Sequence, residues 1–175
     1  PDVLAENPDV VIIATGGMPN TEFLEAGDDL AVTTWDIISG AVKPAENVLL
    51  FDDNGGQAGL QAAEFIAEAG SKLEIFPPER FFAPDVGGLN HVPYAQCFEK
   101  HDVTITLNRR LTSIRRDGNG LVAVIGSDYS DLVREQRIDQ VVVEHGTLPL
   151  DELYFDLKEN AVNRGAVDYD ALIAN

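Results

Sequence analysis

The chain has 175 residues, of which 45% are hydrophobic, so it is long and apolar enough to form one sizeable core. Thirty acidic residues against twelve basic residues give a net charge of −18. This balance disfavours binding to nucleic acid or to an anionic membrane, because both need basic patches on the protein. The single cysteine, Cys97, is expected to be a small core residue, and one cysteine is too few for a disulfide framework or a four-cysteine iron–sulfur cluster within this chain.

Location follows from the same composition. A chain without disulfides suits a reducing compartment, so we predict a cytoplasmic protein. No apolar run approaches the 18 residues that a transmembrane helix requires, so no membrane partner is expected. Because the chain opens on Pro1 rather than on methionine, we expect it to be a segment of a longer polypeptide.

Two elements are predicted in the first forty residues. Val10 to Ile13 is a continuous apolar run of the kind found in buried strands, and it leads into a G-x-x-P segment at residues 16–19. Residues 33–38 have the pattern of a short capped helix, with Thr34 as the N-cap. Trp35 is expected to be a packing anchor rather than a base-stacking surface, since no basic residue stands near it.

A strand, a glycine-rich turn, a helix and a second strand are predicted in the middle of the chain. Val48 to Phe51 is apolar throughout, as in a strand covered on both faces. From Leu60 onward the apolar residues recur with helical period, and Gly70 is expected to cap the helix. Leu73 to Phe76 forms the next strand. This order is typical of the unit that directs backbone N–H groups at a nucleotide pyrophosphate.

The turn itself matches the dinucleotide fingerprint G-x-G-x-x-G in two of its three glycines. The corresponding residues are Asn54 to Gly59, with Asn54 in place of the first glycine. Asparagine tolerates a left-handed backbone, but its side chain would crowd a ligand. The candidate cofactor-binding residues are Asn54, Gly55, Gly56, Gln57, Gly59, Glu79, Arg80, His145 and Gly146.

Two further departures weaken the fingerprint. The acid that holds a ribose at the end of the second strand is replaced by Pro77, and Glu79 and Arg80 follow it at positions that the fingerprint does not use. Asp52 and Asp53 are expected to place two carboxylates beside the helix N-terminus, where they would repel a pyrophosphate. Three interpretations stay open: a Rossmann-type element whose anion site is filled by its own side chain, a working NAD(P)H site, or a site for ADP without hydride transfer.

Several strands are predicted in the second half of the chain. A helix over residues 92–100, with Pro93 in its first turn, precedes strands at 103–106, 111–115 and 121–126, which we predict as a three-stranded antiparallel excursion. Residues 127–137 are predicted as a polar connection before a strand at 138–143. A second G-x-x-P segment at 146–149 repeats the first, and a short helical run follows at 151–157. The predicted fold is α/β, a Rossmann-like parallel sheet with flanking helices and this excursion.

Four motifs carry a resemblance to the C-terminal part of the trimethylamine dehydrogenase and 2,4-dienoyl-CoA reductase family of flavin and iron–sulfur oxidoreductases. Within that family the chain most resembles the demethylases of N-methyl amines such as dimethylglycine or N-methylproline. The motifs are Thr34-Trp35-Asp36, Phe51-Asp52-Asp53-Asn54-Gly55-Gly56, Gly87-Gly88-Leu89-Asn90-His91-Val92-Pro93-Tyr94 and Val142-Val143-Glu144-His145-Gly146-Thr147-Leu148-Pro149.

The resemblance implies a parent enzyme with an FMN-bearing barrel, an iron–sulfur cluster and two C-terminal nucleotide-type domains. Residues 47–146 would be the NAD(P)-type domain, residues 1–46 a piece of the neighbouring FAD/ADP-type domain with a connector, and residues 147–175 the return to that neighbour. The partners implied are the rest of the same polypeptide and an electron-transfer flavoprotein. Reductases of the family bind NADPH in this domain, whereas dehydrogenases pass electrons through the cluster, and the departures in the turn favour the dehydrogenase case.

Overall fold

A computed structural model describes residues 2–167 and 169–173. The chain forms two compact units, one made of residues up to Met18 together with residues from Thr147 onward, and the other of residues 19–146. In the part of the chain that the structure describes, no helix has both the length and the apolar composition needed to cross a membrane. The division at residues 46 and 146 into FAD/ADP-type and NAD(P)-type domains stays a prediction.

The secondary-structure elements alternate between strands and helices through much of the chain. In chain order the strands are β1 (Gly17–Pro19), β2 (Val32–Thr33), β3 (Asn47–Asp52), β4 (Lys72–Phe76), β5 (Val103–Ile105), β6 (Arg110–Asp117), β7 (Gly120–Ser127), β8 (Ser130–Ile138), β9 (Gln140–Glu144) and β10 (Thr147–Pro149). The helices within the described residues are α1 (Asp2–Ala5), α2 (Thr34–Ile38), α3 (Gln57–Glu68), α4 (Gly88–Phe98), α5 (Glu152–Lys158) and α6 (Tyr169–Ile173), with a 3₁₀ turn at Asp28–Leu30.

The larger unit is built on a parallel sheet with the strand order β2-β9-β3-β4-β5. Helices α2, α3 and α4 contribute to the core on one face of this sheet, and the antiparallel sheet β6-β7-β8 contributes to the core on the other face. Because both faces are covered, β3 and β9 are apolar and buried along almost their whole length. The predicted α/β fold with a parallel sheet is therefore confirmed.

Successive side chains of β3 point to opposite faces of the sheet. Val48 and Leu50 belong to the core beneath the helices, whereas Leu49 and Phe51 belong to the core beneath the antiparallel sheet. The same alternation continues through Asp52, the last residue of β3, to Asp53, the residue after it. It therefore sends the next two side chains, Asp52 and Asp53, to opposite faces.

The predicted three-stranded antiparallel sheet is present, but the prediction gave the wrong residues for one of its strands. Residues 103–106 were predicted to belong to it, yet β5 pairs in parallel with β4. Residues 127–137 were predicted as a polar connection, yet they contain most of β8, the third strand of the excursion. Strand β8 lies at the edge of its sheet with most side chains exposed, so it carries no apolar alternation by which a sequence pattern could reveal it.

Two helix starts also differ from the prediction. Thr33, not Thr34, caps α2, because Thr33 and Asp36 form a reciprocal capping box. Helix α4 begins at Gly88, where the amides of Asn90 and His91 both donate to the Gly87 carbonyl, so Pro93 lies in the second turn. The glycines at this start have no apolar period, and the pattern becomes visible only further along the helix. At the end of α3, Gly70 has a φ of +89° and forms the predicted cap.

The smaller unit holds the paired ends of the two G-x-x-P segments. Strands β1 and β10 form a two-stranded sheet, and the amide of Leu150 donates to the Gly16 carbonyl at 2.9 Å. The strand predicted at Val10 to Ile13 was wrong: this run has no regular secondary structure, is largely exposed, and pairs with no strand among the described residues. An apolar run forms a strand only where another strand accepts its hydrogen bonds. Helix α5 confirms the predicted helical run.

Candidate functional site

The turn between β3 and α3 is the candidate site, and the neighbouring strand β9 forms its second wall. In the sheet register Asp52 of β3 lies directly opposite Glu144 of β9. Both side chains point to the helix face, and both are buried, with Asp52 only 1% exposed. Two carboxyl groups therefore lie side by side where the sheet meets the start of α3. This is the carboxyl edge of the strands, where ligands bind in open α/β sheets.

Asp52 occupies the inside of the turn. Its Oδ1 accepts hydrogen bonds from the backbone amides of Asn54 and Gly55, both at 3.1 Å. Its Oδ2 has no hydrogen-bond partner among the described residues and packs against Gly59 in the first turn of α3. The backbone N–H groups that a fingerprint turn offers to a pyrophosphate are thus partly used by the protein's own side chain.

The glycines of the turn serve different purposes. A Cβ at Gly59 would overlap the Asp52 carboxyl, lying 2.6 Å from its Cγ, so this glycine makes room for Asp52. A Cβ at Gly55, where φ is +69°, would lie 2.9 Å from the ring of Pro84. A Cβ at Gly56 would meet only the Asn54 amide nitrogen, at 3.6 Å. Two of the three glycines are therefore explained by packing within the chain.

Burial raises the pKa of Asp52 from 3.8 to about 7. The amide of Gly55 opposes this shift by favouring the carboxylate, and the nearby charge of Glu144 adds to the shift. Asp52 therefore changes its charge near neutral pH, which is unusual for an aspartate.

Glu144 closes the turn from the other side. Its Oε2 accepts from the hydroxyl of Thr34, and its Oε1 accepts from the Asn54 side-chain amide and from the backbone amide of Gly146, both at 3.2 Å. Asn54 thus crosses from β3 to β9 and holds the mouth of the turn. Thr34 and Glu144 are site residues that the sequence pattern did not predict. An acid directly after the apolar run Val141 to Val143 was the signal that could have revealed Glu144.

Replacing Thr34 with valine should lower the free energy of unfolding by about 1–3 kcal/mol, because the buried carboxylate of Glu144 loses a donor while the side-chain volume is kept. Thr34→Ser keeps the hydroxyl and is the matched control. Urea unfolding of both variants measures the difference. Equal stability of the two variants would contradict the assigned hydrogen bond.

Asp53 points to the opposite face of the sheet, so the prediction that both aspartates flank the helix N-terminus was wrong. Its Oδ1 lies 2.6 Å from Nδ1 of His145, and its Oδ2 lies 3.8 Å from the guanidinium of Arg110. The His145 ring packs on Phe23 with the two centroids 4.3 Å apart. Arg110 is itself held by two hydrogen bonds to Asp128, at 2.8 and 2.7 Å. This network ties the parallel sheet to β6.

The structure brings together only some of the predicted site residues. Asn54, Gly55, Gly56, Gln57 and Gly59 form the turn and the start of α3, and Gly146 reaches Asn54 through Glu144. His145 faces away from the turn, toward Asp53. Glu79 and Arg80 lie exposed in the loop after β4, and no hydrogen bond or ion pair between described residues joins their side chains to the turn.

Among the described residues, one group of potential metal-ligating atoms occurs away from the turn. Ligand atoms of Glu64 and Glu68 on α3 and of Cys97 on α4 lie within 4.8 Å of one another. Burial raises the pKa of the Cys97 thiol, and the charges of Glu64 and Glu68 raise it further, which disfavours the thiolate that a metal needs. Cys97 is buried in the core beneath the helices, as predicted.

A parallel sheet in which one strand, β3, leads through a glycine turn into a helix and back to a neighbouring parallel strand is typical of a Rossmann-type α/β domain. No family model matches the chain. The probable N-methylproline demethylase of Rhizobium meliloti (strain 1021) is 55% identical over 98% of this chain and 25% of that protein. The N,N-dimethylglycine/sarcosine dehydrogenase of Chromohalobacter salexigens is 40% identical over 95% of this chain and 25% of that protein.

A solved structure shows the same fold. The 6-hydroxypseudooxynicotine amine oxidase of Pseudomonas geniculata N1 matches with a TM-score of 0.76 at 23% identity, over 93% of this chain and 25% of that chain. The predicted resemblance is confirmed: the chain is similar to part of a probable N-methylproline demethylase and to part of an N,N-dimethylglycine/sarcosine dehydrogenase. It spans about a quarter of the length of the curated relatives it matches.

Proposed function

We propose that the whole protein is a flavin-dependent oxidoreductase that removes methyl groups from secondary or tertiary amines. This proposal is supported by two relatives whose names describe a reaction on N-methyl amines. A flavin bound elsewhere in the protein would supply the two-electron oxidation of the N-methyl group, and hydrolysis of the oxidised amine would release formaldehyde and the demethylated amine. The iron–sulfur cluster would lie outside this chain, since Cys97 is its one cysteine. The FMN would lie outside it too, in the barrel that the resemblance implies.

The proposed role of this chain is that of a non-catalytic Rossmann-type domain with a degenerate dinucleotide site. The observation that carries it is Asp52, whose carboxyl group fills the turn and accepts the Asn54 and Gly55 amides. Asn54 adds to this by crossing the mouth of the turn to Glu144. A dehydrogenase that passes its electrons to an electron-transfer flavoprotein needs no NAD(P)H, so the site can be lost without loss of turnover.

A titration of the full-length protein with NADH and NADPH tests this role. We expect no saturable heat in calorimetry up to millimolar nucleotide, because the anion would meet a buried carboxyl group instead of free amides. Saturable binding that Gly56→Asp abolishes would contradict the proposal and would favour a working NAD(P)H domain. Titration with ADP in parallel distinguishes an adenine-nucleotide site from an empty one.

A further inference from the structure

Helices α2 and α3 share an apolar groove on their outer surface. Its volume is about 350 Å³, and its lining residues are Thr34, Trp35, Ile38, Ser39, Ala58 and Gln61. Trp35 is 49% exposed and Ile38 46% exposed, so about half of the surface of each side chain is open to solvent. Phe65, 43% exposed, follows Gln61 by one turn of α3 and extends the apolar surface. None of the lining residues carries an ionisable side chain.

The groove is held in a fixed shape. The capping box of α2 places Asp36 Oδ2 at 2.9 Å from the Thr33 amide and 2.7 Å from its hydroxyl. Ile37, on the inner side of the same helix, is fully buried in the core. Trp35 therefore lies on a short helix that is fixed in place. Binding of a partner would cost little conformational entropy, because this part of the surface is already ordered. Exposed tryptophans held in this way are typical centres of protein interfaces.

We propose that this groove binds an apolar segment from the rest of the same polypeptide, outside these 175 residues. The inference rests on the proposed function, in which the chain is one domain of a larger enzyme. Relatives that match 98% and 95% of this chain carry it within proteins of which it makes up a quarter. A second copy is disfavoured because each chain carries a net charge of −18. A partner recognised mainly by charge is disfavoured because the groove offers it no charged group.

Hydroxyl-radical footprinting of the full-length protein tests the proposal, with Tyr129 as the internal reference. Tyr129 is 70% exposed in the turn before β8, away from the groove. We expect Trp35 to be oxidised at least about tenfold more slowly than Tyr129, because an occupied groove excludes water from the ring. Oxidation of Trp35 as fast as that of Tyr129 would overturn the proposal. Protection that disappears on dilution would also overturn it, since that result identifies a second copy.

A variant pair gives a second readout. In limited proteolysis, the full-length protein with both Trp35→Ser and Ile38→Ser should be cleaved between its domains faster than the wild type. The Tyr129→Ser variant should be cleaved at the wild-type rate. Equal cleavage of both variants contradicts the proposal. Amine demethylation is measured separately. A protected Trp35 in a protein without demethylase activity would contradict only the proposed function. Demethylase activity together with an unprotected Trp35 would contradict only the proposed docking surface.

Discussion

Replacing Gly59 with alanine is expected to lower the free energy of unfolding by about 3 kcal/mol or more, since the new methyl group would overlap a buried carboxyl group. The methyl carbon would lie 2.6 Å from Cγ of Asp52, and both residues are buried. Neither α3 nor β3 can move aside, because each is packed on the core beneath the helices. Urea unfolding of the variant measures the loss.

Gly56→Ala is the matched control for this prediction. A Cβ at this position meets only the Asn54 amide, at 3.6 Å, and its backbone φ of −93° suits any residue. We expect a change within about 1 kcal/mol. Adding Asp52→Ser to Gly59→Ala should restore part of the lost stability, because the shorter side chain leaves room for the methyl group. A larger loss for Gly56→Ala than for Gly59→Ala would contradict the packing role assigned to Gly59.

Asp52 should make the protein less stable as the pH rises from about 4 to about 7. Its pKa is raised in the folded protein, from 3.8 to about 7, so the folded chain binds a proton that the unfolded chain has already released. The stability contribution of this proton is complete below about pH 4, declines as the pH rises toward 7, and is absent above it. Asp52→Asn mimics the protonated form and should therefore be more stable than the wild type at pH 8, by roughly 2–4 kcal/mol.

The quantity to measure is the difference in stability between the wild type and Asp52→Asn at each pH, because other groups titrate in the same range. At pH 4 the wild type and Asp52→Asn should unfold at similar urea concentrations, and the gap should open toward pH 8. Asp131→Asn, an exposed aspartate on β8, controls for the change in net charge and should follow the wild type at every pH. A constant gap between the wild type and Asp52→Asn from pH 4 to pH 8 would contradict the raised pKa.

The sequence predicts the centre of this fold well because its strands are buried on both faces. Val48 to Phe51 and the apolar residues of β9 form continuous apolar runs, and the helical period of α3 follows at once after the turn. Edges are predicted poorly, as β8 shows. An exposed edge strand is held by backbone hydrogen bonds, which leave no mark on the choice of side chains.

The candidate site is half predictable for a related reason. The turn and its departures from the fingerprint are local, so the sequence predicts them directly. Glu144 meets Thr34 and Asn54 only because β9 pairs with β3 in one particular register, across 110 and 90 residues of chain. Alternation along β3 is a local pattern too, and it is sufficient to place Asp52 and Asp53 on opposite faces of the sheet. The pairing of Asp53 with His145 depends on the sheet order as well.

A crystal structure of the full-length protein soaked with millimolar NADPH tests the central claim most directly. We predict that the turn from Asn54 to Gly59 carries no nucleotide and that Asp52 Oδ1 still accepts the amides of Asn54 and Gly55 at about the same 3.1 Å. A diphosphate bound to the amides of Gly55 and Gly56, with the Asp52 side chain turned out of the way, would contradict it.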